Sequence, residues 1–304
     1  MSNLRTRIDW MLHDHCTAEC SYCPTRLRGG ELPKGILEYM SVTKRIIDHY
    51  DSLDRKIDWL FNGGEPLDMF DFPMMLKLCK ERGGTIDLTT NGGKLWLDWW
   101  AIEPHIDTLH LSYHYWQNPN LIRFIIQAFQ KSGKHIDIIV PMRPDHLDED
   151  LKRVIDIETE FNIVVSKSML YNEADQYFGM YTYTDQQLRI MRGEELIQEH
   201  IPQEEGVVHE EITFQEHTHQ QEITFAQRQS EKINSSPTYT GQLCNLGIEK
   251  LTISQQGWVR GSTCNTTQFG NIWNDSFTLP TTPARCVMLA CVDASDQQIT
   301  KFTQ

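Results

Sequence analysis

Ile57-Asp-Trp-Leu-Phe-Asn62, followed at once by Gly63-Gly-Glu-Pro66, reads as a short strand that stops at a Gly-Gly turn. On its N-terminal side, Gly35–Leu53 places Ile36, Met40, Ile47 and Tyr50 at helical spacing after Pro33. On its C-terminal side, Pro73–Arg82 reads as a helix closed by Gly83-Gly84. Thr85–Thr90 then reads as a strand that ends at Asn91-Gly92-Gly93. The alternation extends both ways. Arg7–His13 is the first predicted strand. Leu95–Ile102, Leu121–Lys131 and Asp148–Phe161 are further helices, and Thr108–Tyr113, His135–Pro141 and Ile163–Leu170 are further strands. Repeated β-then-α units imply a parallel sheet with helices packed outside it. Six such units are too few for the full eight-stranded barrel, so the expected fold class is α/β, an open partial (β/α)6 barrel over residues 1–170.

In such sheets chemistry gathers where strands end and loops converge. The short motifs fall there. Cys16-Thr-Ala-Glu-Cys20-Ser-Tyr-Cys23 follows the first strand, Gly63-Gly64-Glu65-Pro66 the second, and Asn91-Gly92-Gly93 the third. Three thiolates so close in sequence can wrap one compact metal centre. A tetrahedral zinc site needs a fourth ligand, which His13 or His15 would supply. A Cys20/Cys23 redox pair is a second option. A [4Fe–4S] cluster with three protein ligands and one open iron is a third.

The combination resembles the radical S-adenosylmethionine (SAM) superfamily, including the aromatic Tyr22 just before the third cysteine and Gly-Gly-Glu-Pro after the second strand. The resemblance implies that Cys16, Cys20 and Cys23 hold a [4Fe–4S] cluster whose open iron binds SAM. It implies that the edge at Gly63 and Gly64, with Glu65 beside it, meets the SAM ammonium. The glycines leave that backbone uncovered for close approach. Asn91, and Ser112 or His114 after the fourth strand, are candidate ribose or carboxylate contacts. Arg143, after the fifth strand, is a candidate partner for the SAM carboxylate, because a guanidinium binds carboxylate bidentately. One electron from the cluster would split SAM, and the 5′-deoxyadenosyl radical would take hydrogen from a substrate. The reductant implied is a donor such as flavodoxin or ferredoxin.

The other cysteines fall late. Of the 8 in the chain, Cys244, Cys264, Cys286 and Cys291 lie in the last quarter, and Cys79 stands alone on a predicted helix as a core residue. Leu251–Ser254 and Trp258–Ser262 flank Gln255-Gln256-Gly257, a hairpin signal. Cys244, this hairpin, Cys264 and Gly270-Asn-Ile272 resemble the SPASM/Twitch extensions of radical SAM enzymes. The full SPASM pattern has more cysteines, so the match is to the shorter Twitch-like form. It implies one auxiliary [4Fe–4S] cluster in a small domain of residues 241–304. Four thiolates also suit a structural zinc.

Residues 171–240 read as an insertion and linker, with a helix from Asp185 to His200 and a Gln-, Glu- and His-rich stretch as a hairpin or lid. Glu211-Ile-Thr-Phe214 and Glu222-Ile-Thr-Phe225 echo each other there, and His217 and His219 read as a solvated loop. Trp96, Trp99 and Trp100 crowd one helix and read as packing residues, while Lys167 has no definite role.

Composition bounds the function. The 304 residues carry 28 Lys+Arg against 42 Asp+Glu, a net charge of −14, which argues against a broad grip on a nucleic-acid backbone. No run of about 18 apolar residues exists, so no membrane span is expected. The N-terminus reads as the start of the fold, not as a signal peptide, which makes the cytoplasm the default compartment. It also suggests that no peptide-recognition domain precedes the barrel. The expected substrate is therefore a peptide or a small molecule. The rival reading from another class is a non-catalytic, zinc-stabilised binding module.

Overall fold

The structure is a computed structural model that describes residues 4–18, 20–23, 30, 32, 34–93, 99–172, 179–181, 183–194, 235–262, 264, 267–274 and 277–303. Trp96, the Gln- and His-rich stretch with its two Glu-Ile-Thr-Phe segments, and His217 and His219 lie outside the described residues.

Six parallel strands form the centre: β1 (Arg5–Met11), β2 (Lys56–Asn62), β3 (Thr85–Thr90), β4 (Thr108–Ser112), β5 (His135–Met142) and β6 (Val165–Met169), side by side in chain order. Helices α1 (Ile36–Ser52), α2 (Phe72–Glu81), α3 (Trp99–Ile102), α4 (Pro119–Lys131) and α5 (Leu147–Phe161) connect them. The architecture is the expected partial barrel. The predicted 95–102 helix is described only from Trp99, and it runs into a 3-10 turn at Glu103–His105.

Side chains alternate across a strand, so each strand has one face in the core. Thr6, Ile8 and Trp10 of β1 and Ile57, Trp59 and Phe61 of β2 are buried against the helices. Trp59 stacks on Phe61 with centroids 5.4 Å apart, and Phe72 of α2 meets Phe61 edge-on at 5.6 Å. Burying each such ring contributes on the order of 2–3 kcal/mol. The opposite, inner face is polar: Arg7 pairs with Asp87 at 2.7 Å, and His110 with Asp137 at 3.0 Å. Asn118 caps α4 by accepting from the Asn120 N–H, with Pro119 in the first turn.

After β6 come the two-residue strands β7 (Tyr171–Asn172) and β8 (Gly179–Met180) and helix α6 (Asp185–Met191), which opens on a Thr184/Gln187 capping box. Residues 195–200 of the predicted 185–200 helix lie outside the described residues. The predicted hairpin is present as β10 (Lys250–Ile253) and β11 (Trp258–Arg260), turning at Gly257 with φ +82°. Its placement adds to the expectation. β10 pairs in parallel with β1, in the register Arg7↔Lys250 to Trp10↔Ile253. With β12 (Gln268–Asn271) the main sheet has nine strands, in the order β12-β11-β10-β1-β2-β3-β4-β5-β6. The sheet thus runs through the hairpin of the C-terminal segment. A separate three-stranded sheet places β9 (Leu243–Cys244) between β13 (Ala284–Arg285) and β14 (Lys301–Phe302). Among the described residues, no helix is long and apolar enough to cross a membrane.

Candidate functional site

The cysteine loop leaves β1 and stays zipped to the end of β2. Leu12 N–H donates to Asn62 O at 2.8 Å, Gly64 N–H to His13 O at 2.6 Å, and Glu65 N–H to His15 O at 2.8 Å. This close approach is why two glycines stand there. Gly63 has φ +133°, and a Cβ on it would lie 2.6 Å from His13 O. A Cβ on Gly64 would lie 2.0 Å from His15 O. The first duty of the pair is therefore to admit the chain's own backbone. Among the described residues, no hydrogen bond is donated to either glycine carbonyl.

Glu65 is buried and its carboxylate ties two strand ends together. It accepts from Leu67 N–H at 2.9 Å, Thr90 Oγ1 at 2.5 Å and Asn91 N–H at 2.7 Å. Burial pushes its pKa up to about 7, against the pull of those donors. Asp68, which sequence reasoning missed, does the same for the cysteine loop. Its buried carboxylate accepts from Thr17 N–H at 2.8 Å and lies 3.6 Å from His15 Nε2. Nothing in its immediate sequence distinguishes it from an ordinary turn aspartate.

These braces frame a cavity of about 150 Å³ at the C-terminal ends of the strands. Cys16, Cys20, Cys23, Gly63, Gly64, Glu65, Asn91, Ser112 and His114 all line it, together with Ala18, Thr89 and Thr90, which were not anticipated. Asn91 Nδ2 lies 3.7 Å from Cys16 Sγ, and the indole Nε1 of Trp116 lies 3.1 Å from Cys20 Sγ. Tyr22 is not among the lining residues. Its ring stacks on His114 at 5.8 Å, and its hydroxyl is hydrogen-bonded to His114 Nδ1 at 2.6 Å. Burial, with a smaller push from Arg153, lowers the His114 pKa to about 4, so its imidazole is neutral at physiological pH. Arg143 also lies outside the lining. It meets a carboxylate, but one of the chain's own: its Nη2 reaches Asp150 Oδ1 at 2.8 Å and Glu149 at 3.1 Å, and its guanidinium covers Tyr115 at 4.2 Å.

The donor set discriminates between metal groups. Among the described residues, no three Cys, His, Asp or Glu side chains gather as a single ion requires. A tetrahedral zinc needs every sulfur about 2.3 Å from one point. A cubane presents its irons at separate corners, so its thiolates stand farther apart. Three thiols lining one cavity can supply three ligands of such a cluster. Burial raises the Cys16 thiol to about 11, so a coordinated iron would have to draw off the proton.

The late cysteines are also brought together. All eight cysteines are free thiols. Cys244 is buried with Leu246 and Ile299, and Cys264 packs against them; negative charge on Cys264 or Cys286 would raise the Cys244 and Cys291 thiols. Burial raises the Cys244 thiol to about 11, while Lys301, opposite it in the β9/β14 pair, pulls the other way. Cys286 N–H donates to Gln242 O, Cys291 N–H to Pro237 O, and Cys264 N–H to the buried Asp296 at 3.0 Å. Cys79 is buried in α2, as a core residue should be.

No protein-family model and no curated protein matches the chain. Solved structures do. Streptococcus suis SuiB matches over 90% of this chain at 17% identity, with a TM-score of 0.53. SuiB bound to S-adenosylmethionine matches at 16% identity and 0.52, and SuiB bound to the precursor peptide SuiA at 16% and 0.51. The fold is that of SuiB. The chain spans 64% of the length of SuiB. Within this fold, the cavity lies where the barrel's strand ends converge, lined by the three cysteines and by Gly63 and Gly64.

Proposed function

We propose that the protein is a radical SAM enzyme with two [4Fe–4S] clusters, and that it modifies a peptide. The observation that carries this reading is the single cavity lined by Cys16, Cys20, Cys23, Gly63 and Gly64 at the strand ends of a partial barrel. The bound cluster and SAM would supply one chemistry, the one-electron cleavage of SAM to a 5′-deoxyadenosyl radical that takes hydrogen from the substrate.

The chain's own residues bind and orient. Cys16, Cys20 and Cys23 would hold the first cluster through three thiolates. The carbonyls of Gly63 and Gly64, to which no described residue donates, would accept from the SAM ammonium. Ser112 and Asn91 stand on the same cavity wall to meet its ribose or carboxylate. Glu65, with both oxygens engaged by the protein, acts as a positioning residue that fixes the Asn91 loop. Arg143 is best assigned to the Asp150 network, not to the SAM carboxylate. Cys244, Cys264, Cys286 and Cys291 would hold the auxiliary cluster through four thiolates, which suits electron relay or a structural role.

The complex of SuiB with a precursor peptide supports a peptide as the substrate class. A donor such as flavodoxin or ferredoxin would supply the electron, in a reducing cytoplasm, where grouped cysteines hold metal more often than they form disulfides.

Anaerobic purification and reconstitution test the reading. Iron and sulfide sufficient for two four-iron clusters are expected, with 5′-deoxyadenosine formed from SAM under dithionite and none from Cys20→Ala. Zinc without sulfide would establish the rival binding module. Incubation with candidate peptides and with small metabolites, read by mass change and by deuterium transfer into 5′-deoxyadenosine, separates the substrate classes.

A further inference from the structure

Trp116, in the loop after β4, is a large aromatic residue that remains 37% exposed. An exposed tryptophan needs no partner to explain it, but this one has an unusual one. Its Nε1 lies 3.1 Å from the sulfur of Cys20. The indole N–H is a donor only, so the sulfur must be the acceptor. The ring is held in that pose from several sides. It stacks on His114 at 5.6 Å with planes 14° apart, and His114 stacks in turn on Tyr22. A side chain at Gly93 would come within 3.1 Å of the indole, so the glycine opposite keeps its place clear. Gln117, buried beside it, bonds to both His114 N–H and the Asn91 carbonyl, fixing the loop after β4 to the loop after β3.

We propose that Trp116 is a positioning residue for the SAM-binding cluster, donating its N–H to the Cys20 thiolate and thereby raising the cluster's reduction potential. The inference rests on the proposed function, since it requires a cluster on Cys20. The physical reason is charge. A cluster gains negative charge on reduction, much of it on sulfur. A donor aimed at a ligand sulfur stabilises the reduced form more than the oxidised one. Cys20 has this ring-locked indole donor at 3.1 Å, while Cys16 is met by the Asn91 amide at 3.7 Å and by the Ala18 backbone. The residue would thus set a balance between easy reduction by the donor protein and driving force towards SAM.

The test compares the reconstituted holoenzyme with Trp116→Phe and Trp116→His. Iron and sulfide are measured first, then the midpoint potential by spectroscopically followed redox titration. Exchangeable-proton couplings of the reduced cluster are recorded in light and heavy water. W116F is expected to keep the parent's iron content, move the midpoint to more negative values and lose an exchangeable-proton coupling. W116H, which keeps a planar ring and an N–H, is expected to stay nearer the parent in both. An unchanged midpoint and unchanged couplings in fully loaded W116F overturn the inference alone. Loss of the cluster from both variants also overturns it, because the ring would then serve folding. A parent enzyme with no iron–sulfide centre overturns the functional reading, and this inference with it.

Discussion

Gly64 has no room for a side chain. A methyl group there would sit 2.0 Å from His15 O and 2.8 Å from the Asp14 carbonyl carbon, all backbone atoms that cannot swing aside. Gly64→Ala must therefore unzip the cysteine loop from β2, at a cost of about 2–4 kcal/mol. Gly133→Ala is the control. That glycine has φ +68° with nothing within 4 Å, so only left-handed strain of roughly 1 kcal/mol applies. Thermal melts should separate the two, and G64A should also lose iron at the first site. Equal losses in both variants would refute the close-approach argument. Glu65 makes a second prediction at this scale. The folded chain holds its proton to about pH 7, while an unfolded glutamate releases it near 4.5. Folding therefore takes up a proton between those values, and this group's contribution to stability falls by about 3 kcal/mol as pH rises across the window. Glu65→Gln removes that slope but leaves the Asn91 N–H facing an amide, a loss of about 1–2 kcal/mol. Urea midpoints at about pH 5 and about pH 8 should show E65Q weaker than the parent at the lower pH, with the gap closing or reversing at the higher. A gap of constant size would mean that Glu65 stays ionised throughout.

The elements of the barrel were readable because each carries its own period. Ile8 and Trp10 alternate with Arg7 and Asp9, and Ile125 and Phe129 fall on the buried face of α4. The hairpin was readable for the same reason, from Gln255-Gln256-Gly257. Its parallel pairing with β1 was not. No local pattern encodes a contact between residues some 240 positions apart, such as Thr6 Oγ1 and Ile248 O at 2.6 Å. The cavity was half readable. Cysteines and glycines have distinctive spacing, whereas Glu65, Asp68 and Trp116 act through partners fixed only by the folded chain. The joint between β10 and the late cysteines shows this best. Lys250, 3% exposed, reaches Asp296, 2% exposed, at 2.9 Å, and Asp296 holds the Cys264 N–H. Lys250→Met leaves Asp296 buried without its cation, which typically costs about 3–5 kcal/mol. The expected result is a lowered melting temperature and iron lost from the second site while the first stays loaded. Full iron with an unchanged melting temperature would show that Lys250 does not support the Cys264 loop.

The whole molecule carries a net charge of −14, and several of its arginines and lysines are paired with its own carboxylates, as in Arg7–Asp87, Arg82–Asp51 and Arg143–Asp150. Long-range steering therefore works against an acidic electron donor such as flavodoxin. Screening shortens the reach of that repulsion from about 30 Å at 0.01 M salt to about 8 Å at 0.15 M. The rate at which an acidic donor reduces the clusters should rise severalfold over that range, whereas dithionite, too small to sense the overall field in the same way, should respond less. Stopped-flow bleaching of the cluster absorbance at several salt concentrations reads both rates. A rate that falls with salt would mean that a local basic face outweighs the net charge and steers the donor to one docking site. Charge-reversal of Lys or Arg residues around the two cysteine groups would then locate that face. With the repulsive outcome, docking must instead depend on short-range contacts formed after encounter, and affinity should be governed by dissociation more than by association.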